Sequence, residues 1–492
     1  MKTIGIIGSG VSGLSAAAVL ALKGQKVVVF EKNDQLGGRM RQFEANGFTF
    51  DMGPSWYWMP DVFERFYEQF GYTSSDFYEL KKLDPGFQII TSDGETLKIP
   101  AGWEELLELF EQIETGAADK LTAFMREANY KYDVGVKKLI YQPGLSLLEL
   151  INADTISGVF RLQLFSSFSK HVRRYFKNEK LIALMEFPVL FLGAMPKDTP
   201  ALYSLMNYAG LKQGTYYPMG GFKKVIDAMV KISHEYGVEF NLSEGVDTIE
   251  AISDSKISIS THIQKKQLHG LIASADYHHV ESKLLKLKDR NYTEKYWNKK
   301  TFAPSSLIFY IGVNTKLDKL EHHNLFFDAD FPKHAVEIYE NPQWPSNPLF
   351  YVCCPSRTDP SVAPAGKENL FVLMPIAPGI KDEDAIRDTY YNILLKRLET
   401  FTGISIRDNI DYVKSYCIKD FITDYNSYKG NAYGLANTLM QTANLKPNIK
   451  NKHIPNFYYC GQLTVPGPGV PPSIISGQIA ANELLKKLKV NV

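Results

Sequence analysis

Gly8, Gly10 and Gly13 stand in GxGxxG spacing near the start of the chain, and Glu31 and Arg39 come soon after. Each residue type suits one part of a phosphate- and ribose-bearing ligand. The first glycine permits a tight turn, and the second lets the backbone approach a pyrophosphate. The third lets a helix pack close to the preceding strand. Val11 and Ser12, between the last two glycines, place backbone N–H groups at that helix's N-terminus, where anions are held. Glu31 offers a carboxylate to ribose hydroxyls. Arg39 stands directly after Gly37 and Gly38, and its guanidinium suits phosphate oxygens.

These groups work together only if a strand, a helix and a second strand position them. The stretch "TIGIIGSGVSGLSAAAVLALKGQKVVVFEK" supplies all three. Ile4 to Ile7 is a short apolar run of the kind buried in a parallel sheet. The helix after it ends near Gly24, then "KVVVF" forms the next strand with Glu31 at its end. A lone GxGxxG reads equally well as a glycine-rich turn. In this register it predicts a dinucleotide site.

The other end of the chain is built as a matching wall. In "CGQLTVPGPGVPPSIISGQIAANELLKKL", Gly461 turns the chain after a strand, and Pro466 and Pro468 stiffen the loop beyond it. Gly467 and Gly469 allow the turns between them. Pro471 and Pro472 lead into the last helix where proline is tolerated. Such a helix start carries roughly half a positive charge. Alone, the segment reads as a structural loop that docks a helix. Beside the N-terminal site it predicts a rigid, positively polarised wall on the ligand. Cys460 reads as a small buried residue at a strand end, not as a covalent attachment point.

Composition narrows the function. Lys plus Arg is 55 and Asp plus Glu is 54, so no clustered charge marks a nucleic-acid partner. The four cysteines form no CxxC pair, and Cys353 and Cys354 lack metal-ligand spacing to anything else. A reduced chain with no bound metal is expected. "MKTIGIIGSG" enters a strand without the regions of a signal peptide, which predicts a cytoplasmic protein. The longest apolar stretch, Leu181 to Pro196, contains Glu186 and Pro188 and is too short to span a bilayer. No second GxGxxG is present for NAD(P)H, which argues against a disulfide reductase or an NADPH-driven monooxygenase.

After about residue 75 the chain becomes helical and aromatic. It returns to the nucleotide pattern at Gly220 and Gly221, which open an amphipathic helix with Phe222, Val225, Ile226, Met229 and Ile232 on one face. The strand "VEFNL", then "GVDTIE", and a strand, turn and helix over Leu271 to Leu285 continue it. Strands are expected at Leu307 to Val313, Leu349 to Cys353 and Leu370 to Met374. The prediction is an α/β chain of two interleaved domains. One comprises residues 1–75, 220–300 and 453–492, and the other 76–219 and 301–452.

"EKNDQLGGR", Glu31 to Arg39, resembles the extended FAD fingerprint of the amine-oxidase and phytoene-desaturase superfamily, and "FDMGPS" resembles its next motif beside the flavin. "YPMGG" extends the superfamily resemblance through the middle of the chain, and "GNAYGLANTLMQTA" with a C-terminal signature of Tyr458, Gly461, Pro466, Gly467, Gly469 and Pro471 resembles the carotenoid desaturases and isomerases of the phytoene desaturase family. The resemblance covers the whole chain. It implies a Rossmann-like FAD-binding domain interleaved with an α+β substrate domain. The FAD contacts it implies are Gly8, Gly10, Val11, Ser12, Gly13, Glu31, Lys32, Gly38 and Arg39 at the N-terminus, with Gly53, Pro54 and Ser55 after them. Val246 on the adenine side, Ser274, Gly461, Gly469, Val470 and Pro471 complete the set. Family members often carry Asn where this chain has Ser274.

The implied function is FAD-dependent desaturation of an acyclic carotenoid by hydride transfer to flavin, with a 1-hydroxylated substrate of the 3,4-desaturase branch as one form and phytoene as another. Reduced flavin would pass its electrons to oxygen or a membrane quinone. A carotenoid cis–trans isomerase, a non-enzymatic isoprenoid escort protein and an amine oxidase are the alternatives. The carotenoid substrate implies peripheral contact with the inner face of the cell membrane. Phe160, Phe165, Phe168, Tyr175 and Phe176 with Lys170, Arg173 and Arg174, then Leu181 to Pro196, form a candidate interfacial stretch within residues 155–200. An internal helix with a solvated face fits the same pattern. His171, Glu186 and Asp198 are candidate bases that sequence does not separate.

Overall fold

The computed structural model describes residues 1–145, 162–163, 166–253, 255–438 and 440–490. A five-stranded parallel sheet runs in the order Phe457–Tyr459, Gly270–Ala273, Thr3–Ile7, Lys26–Phe30 and Glu239–Asn241. Its three central strands read as largely apolar runs because both faces are covered, with Ile4, Val27, Val29, Leu271 and Ile272 fully buried. The helix Val11–Leu22 covers one face beside the C-terminal helix Val470–Lys487, and Ser15 Oγ donates to the Ile474 carbonyl at 2.7 Å. The helix opened by the glycine pair spans Lys223–Glu235, and Phe222, Val225, Ile226, Met229 and Ile232 are buried.

A seven-stranded sheet lies opposite, in the order Ile410–Tyr416, Ser305–Val313, Glu368–Ile376, Phe350–Cys353, His323–Phe327, Phe87–Thr91 and Thr96–Ile99. Neighbours are antiparallel except His323–Phe327 beside Phe87–Thr91. Period-2 alternation gives the sheet two different faces. Leu307, Phe309, Val352, Val372 and Met374 pack with Leu394, Leu395 and Leu398 of the helix Asp384–Thr402. Ile308, Leu325, Tyr351 and Leu373 turn the other way and line a cavity.

The stretch expected at a membrane is turned inward where it is described. Phe160 and Phe165 lie outside the described residues. Phe168, Val172 and Phe176 of the next segment are buried, and the Phe176 ring lies 5.6 Å from Phe110 and 6.2 Å from Phe124. Leu181, Ile182, Leu184 and Met185 are buried as well. The helix Ala117–Val134 presents Leu121, Phe124 and Ala128, an apolar face that matches them. Lys170, Arg173 and Arg174 form the solvated side. Among the described residues no helix is long and apolar enough to cross a membrane.

Candidate active site

One cavity of about 440 Å³ joins the C-terminal edge of the parallel sheet to the inner face of the seven-stranded sheet. Its nucleotide half is walled by Gly8, Gly10, Val11 and Ser12, by Glu31 and Lys32, and by Gly38 and Arg39. Gly53, Pro54, Ser55, Val246 and Ser274 join them, as do Gly461, Gly469 and Val470 from the C-terminal loop. Gly13 and Pro471 are not in this wall. A Cβ on Gly13 would lie 2.1 Å from the Gly8 carbonyl oxygen, so Gly13 serves the close packing of helix on strand. Pro471 sits in the first turn of the last helix.

The cradle is made of backbone. Gly10 and Gly37 pair as a short parallel bridge, and Gly37 N–H donates to the Ser9 carbonyl at 3.1 Å. A Cβ on Gly38, whose φ is +57°, would come within 3.1 Å of Gly10 Cα. Ser12 Oγ and Ser274 Oγ lie 2.7 Å apart, so Ser274 ties the end of one strand to the first turn of the fingerprint helix. The C-terminal loop closes on the same place. Gly461 N–H donates to Ser476 Oγ at 2.9 Å, and Ser476 Oγ donates to the Val465 carbonyl at 2.7 Å. Gly469 caps the last helix. Cys460 is buried, and burial pushes its thiol up to about 12.

Glu31 accepts from Ser9 N–H at 2.9 Å and Ser9 Oγ at 2.6 Å on one oxygen, and from Asn33 N–H and Asn33 Nδ2 at 3.0 Å on the other. Two of these donors are side-chain groups that ribose hydroxyls can replace. Arg39 reaches Ser427 Oγ at 3.2 Å and the Asn431 carbonyl at 3.4 Å, and its guanidinium lies 4.8 Å from the Tyr425 ring centre. Its buried Nε has no hydrogen-bond partner among the described residues. Burial pulls the guanidinium below its ordinary pKa. A buried cation with an orphaned donor beside a glycine cradle fits a dinucleotide pyrophosphate.

Asp276 also lines this half and was not singled out by sequence. It accepts from His279 N–H at 3.1 Å and Tyr428 N–H at 3.2 Å, and burial raises its carboxyl. Asp424 and Tyr425 arrive from the helix Ile418–Tyr425, with Asp424 paired to Arg41 at 2.6 Å. Those residues carry no motif, and only the fold brings them to the cleft.

The other half of the cavity is apolar. Ile308, Leu325 and Leu373 rise from the seven-stranded sheet, Leu349 stands just before the strand Phe350–Cys353, and Phe331, Ala335 and Ile338 face them from the helix Phe331–Tyr339. Ser55 and Trp56 stand where the halves meet, with Ser55 Oγ 2.9 Å from Tyr351 Oη. His171, Glu186 and Asp198 are not in this wall. Buried behind it, the side-chain ligand atoms of His322, His323 and Cys353 converge within 4.8 Å, a grouping that cysteine spacing did not reveal.

Residues 11–485 match the family described as flavin containing amine oxidoreductase. A carotenoid 3,4-desaturase from Haloarcula japonica is 39% identical over 488 residues, covering 99% of both chains. A 4,4'-diapophytoene desaturase (4,4'-diaponeurosporene-forming) from Staphylococcus haemolyticus is 29% identical over 500 residues, again covering 99% of both. Among solved structures, cyclohexylamine oxidase from Brevibacterium oxydans superposes with a TM-score of 0.61 at 14% identity, covering 99% of each chain. An oxidoreductase from Methanosarcina mazei gives 0.61 at 15% identity, covering 97% of this chain and 99% of its own. At these identities the structural likeness concerns the fold.

Proposed function

We propose that this chain, which belongs to the flavin containing amine oxidoreductase family, is an FAD-dependent carotenoid desaturase of carotenoid biosynthesis. The observation that carries it is one continuous cavity with a phosphate cradle at one end and an apolar chamber at the other. The end-to-end similarity to a carotenoid 3,4-desaturase supports the substrate class. An amine site would call for polar groups in the chamber, and its wall is mostly aliphatic and aromatic, with His334 and Tyr351 among its few polar side chains.

FAD, when bound, supplies the two-electron acceptor for hydride from an allylic carbon. This chain's residues would hold it along the cleft. The Gly8 to Ser12 backbone and Arg39 take the pyrophosphate, Glu31 a ribose, and Val246 the adenine side. The positively polarised start of the last helix, at Gly469 and Val470, stabilises negative charge that develops nearby. The chamber from Ile308 to Leu373 binds the polyene by apolar burial and keeps water from the cation that hydride loss leaves on the substrate.

Within this reading 3,4-desaturation of an acyclic carotenoid is favoured over desaturation of phytoene, because identity to the carotenoid 3,4-desaturase exceeds that to the diapophytoene desaturase. Peripheral attachment to the inner face of the cell membrane is a consequence of the substrate. Each buried CH₂ is worth about 0.8 kcal/mol, so a carotene stays in lipid. Oxygen or a membrane quinone would reoxidise the enzyme.

The deciding experiment is anaerobic. Flavin-loaded protein is mixed with liposomes carrying phytoene or a monohydroxylated acyclic carotene, and flavin and polyene absorbance are followed together. Flavin bleaching with a red-shifted polyene is expected, and the responding lipid names the branch. A flavin that stays oxidised with both lipids would overturn the desaturase in favour of an isomerase or an escort protein. Co-sedimentation with the same liposomes at low and high salt tests membrane attachment.

A further inference from the structure

Behind the wall of the chamber three ligating side chains meet, and none of the three lines the cavity itself. His322 stands just before the strand His323–Phe327, and Cys353 ends the strand Phe350–Cys353. Strand register brings them together. His323 pairs with Cys353 across the antiparallel strands, and Cys354 N–H donates to the His322 carbonyl at 2.8 Å. Directly paired residues present their side chains on one face of the sheet. A ring nitrogen of each histidine and Cys353 Sγ lie within 4.8 Å of one another. All three residues are buried, and His323 is wholly inaccessible.

The hydrogen bonds of the two rings are one-sided. His323 Nδ1 lies 2.6 Å from Tyr351 Oη, and His322 Nδ1 lies 2.8 Å from Thr358 Oγ1. Nε2 of each ring has no partner among the described residues. A polar atom left unpaired in a dry core is costly, and here two of them stand in one cluster. Packing alone would be served by apolar side chains. A metal-ligating histidine has this arrangement, since one ring nitrogen donates its N–H to an outer partner and the other keeps its lone pair for the ion. Trp56 stacks on His323 with ring centres 4.1 Å apart and holds that ring's plane.

The surroundings also suit a cation. Beside Cys353 a small cavity of about 20 Å³, walled in part by Asp51 and Tyr217, is large enough for one water. Tyr217 Oη in that wall has no partner among the described residues. Asp359 is buried and acts electrostatically on His322, as Asp51 does on Cys353. One thiolate and one such carboxylate balance a divalent charge, which meets the requirement that buried charges be paired.

We propose that His322, His323 and Cys353 form a binding site for a thiophilic divalent cation, with Zn²⁺ as the ion it takes. Nε2 of each histidine and the Cys353 thiolate are three ligands, and a water in the small cavity is the fourth of a tetrahedron. The ion takes the place of the thiol proton, which passes to solvent. Thiolate with imidazole selects against magnesium and calcium, which prefer oxygen ligands. The site lies off the main cavity, so the ion holds structure and meets no substrate. It ties the strand His323–Phe327 to the strand Phe350–Cys353. Through Tyr351 and Trp56, which do line the cavity, it fixes the floor of the chamber. The site is independent of what the cavity binds.

The test is the metal content of flavin-loaded protein after exchange against zinc and removal of free ion. Wild type should retain about one zinc per chain, and Cys353→Ser none, with flavin content unchanged in both. Thr358→Val removes only the outer partner of His322, and it should bind zinc about 10–100-fold more weakly. Cobalt loaded in place of zinc should show the long-wavelength bands of a tetrahedral thiolate site, beyond the flavin absorbance, and Cys353→Ser should lack them. Chelation should lower the melting temperature of wild type and leave that of Cys353→Ser unchanged. A wild type that holds neither zinc nor cobalt, or no more than Cys353→Ser holds, overturns the site. Retention of copper and not zinc from a mixture of the two overturns the zinc assignment. If Cys353→Ser does not fold, Thr358→Val decides, and zinc affinity equal to wild type then overturns the site.

Discussion

Gly477 packs so tightly on Ser12 that a Cβ there would lie 2.2 Å from the Ser12 carbonyl oxygen and 2.8 Å from Ser15 Cβ. The fingerprint helix and the C-terminal helix therefore cross at backbone contact, and the two ends of the chain fix one another. Gly461 repeats the relationship, since its Cβ would lie 3.1 Å from Ser12 Oγ. This crossing sets the distance between the phosphate cradle and the start of the last helix.

Gly477→Ala should therefore separate the helices. The expected cost is about 1–3 kcal/mol, typical of overpacking, with a matching fall in melting temperature. Flavin content should fall too, because both walls of the cleft move. A variant that is destabilised but keeps full flavin would show that the crossing supports the fold without shaping the site.

The nucleotide half was legible because its function needs a fixed local order. Glycines for the turn, a helix start and an acid at a strand end must succeed each other closely, and Gly8 to Arg39 does so. The apolar chamber was legible only as strands. Alternation in "SSLIFYIGV" and "NLFVLMPI" gives two faces, but nothing local says which face meets a ligand and which a helix. Asp276, Asp424 and Tyr351 were missed for a related reason, since each reaches the cavity through pairing between distant segments. The aromatic stretch around Phe168 to Phe176 left both readings open in the sequence, because a helix face buried on a neighbour and one buried in lipid share the same period.

Arg39 gives a direct test of the cradle. Its unpaired Nε and its committed terminal nitrogen leave a fork for phosphate. Arg39→Ala should weaken flavin binding about 10–100-fold, as expected for one charged hydrogen-bonded contact of about 1.5–3 kcal/mol. Arg39→Lys should restore charge but not the fork, and so only part of the affinity. Glu31→Ala should yield mostly apoprotein. Flavin titration of purified apoprotein measures all three, and unchanged affinity in Arg39→Ala would move the pyrophosphate elsewhere.

Glu281 predicts how stability depends on pH. It is buried beside the parallel sheet, where Asn291 N–H, Tyr292 N–H and Tyr459 Oη donate to it at 2.6, 3.1 and 3.2 Å. Burial outweighs these bonds and pushes its carboxyl from 4.5 up to about 7. The folded state thus holds a proton that the unfolded chain has lost, and stability falls as pH rises from 4.5 to 7. At 1.36 kcal/mol per unit the change is about 3 kcal/mol. Urea midpoints across this window should decline in wild type relative to Glu281→Gln. Parallel curves would assign the pH dependence to other groups.

Ala335 separates the two halves of the cavity functionally. It lies on the helix Phe331–Tyr339, faces the apolar chamber and is remote in sequence from the cradle. Ala335→Phe would place a ring where the polyene must lie, while the cradle at Gly8 to Gly38 stays intact. Flavin content and melting temperature should be close to wild type, and carotenoid turnover should fall at least about tenfold, the equivalent of roughly 1.4 kcal/mol of lost binding. A small apolar probe such as a shortened isoprenoid should still enter the remaining space. Loss of the long substrate with retention of the short one would place the polyene in this chamber, whereas unchanged turnover of both would place it outside.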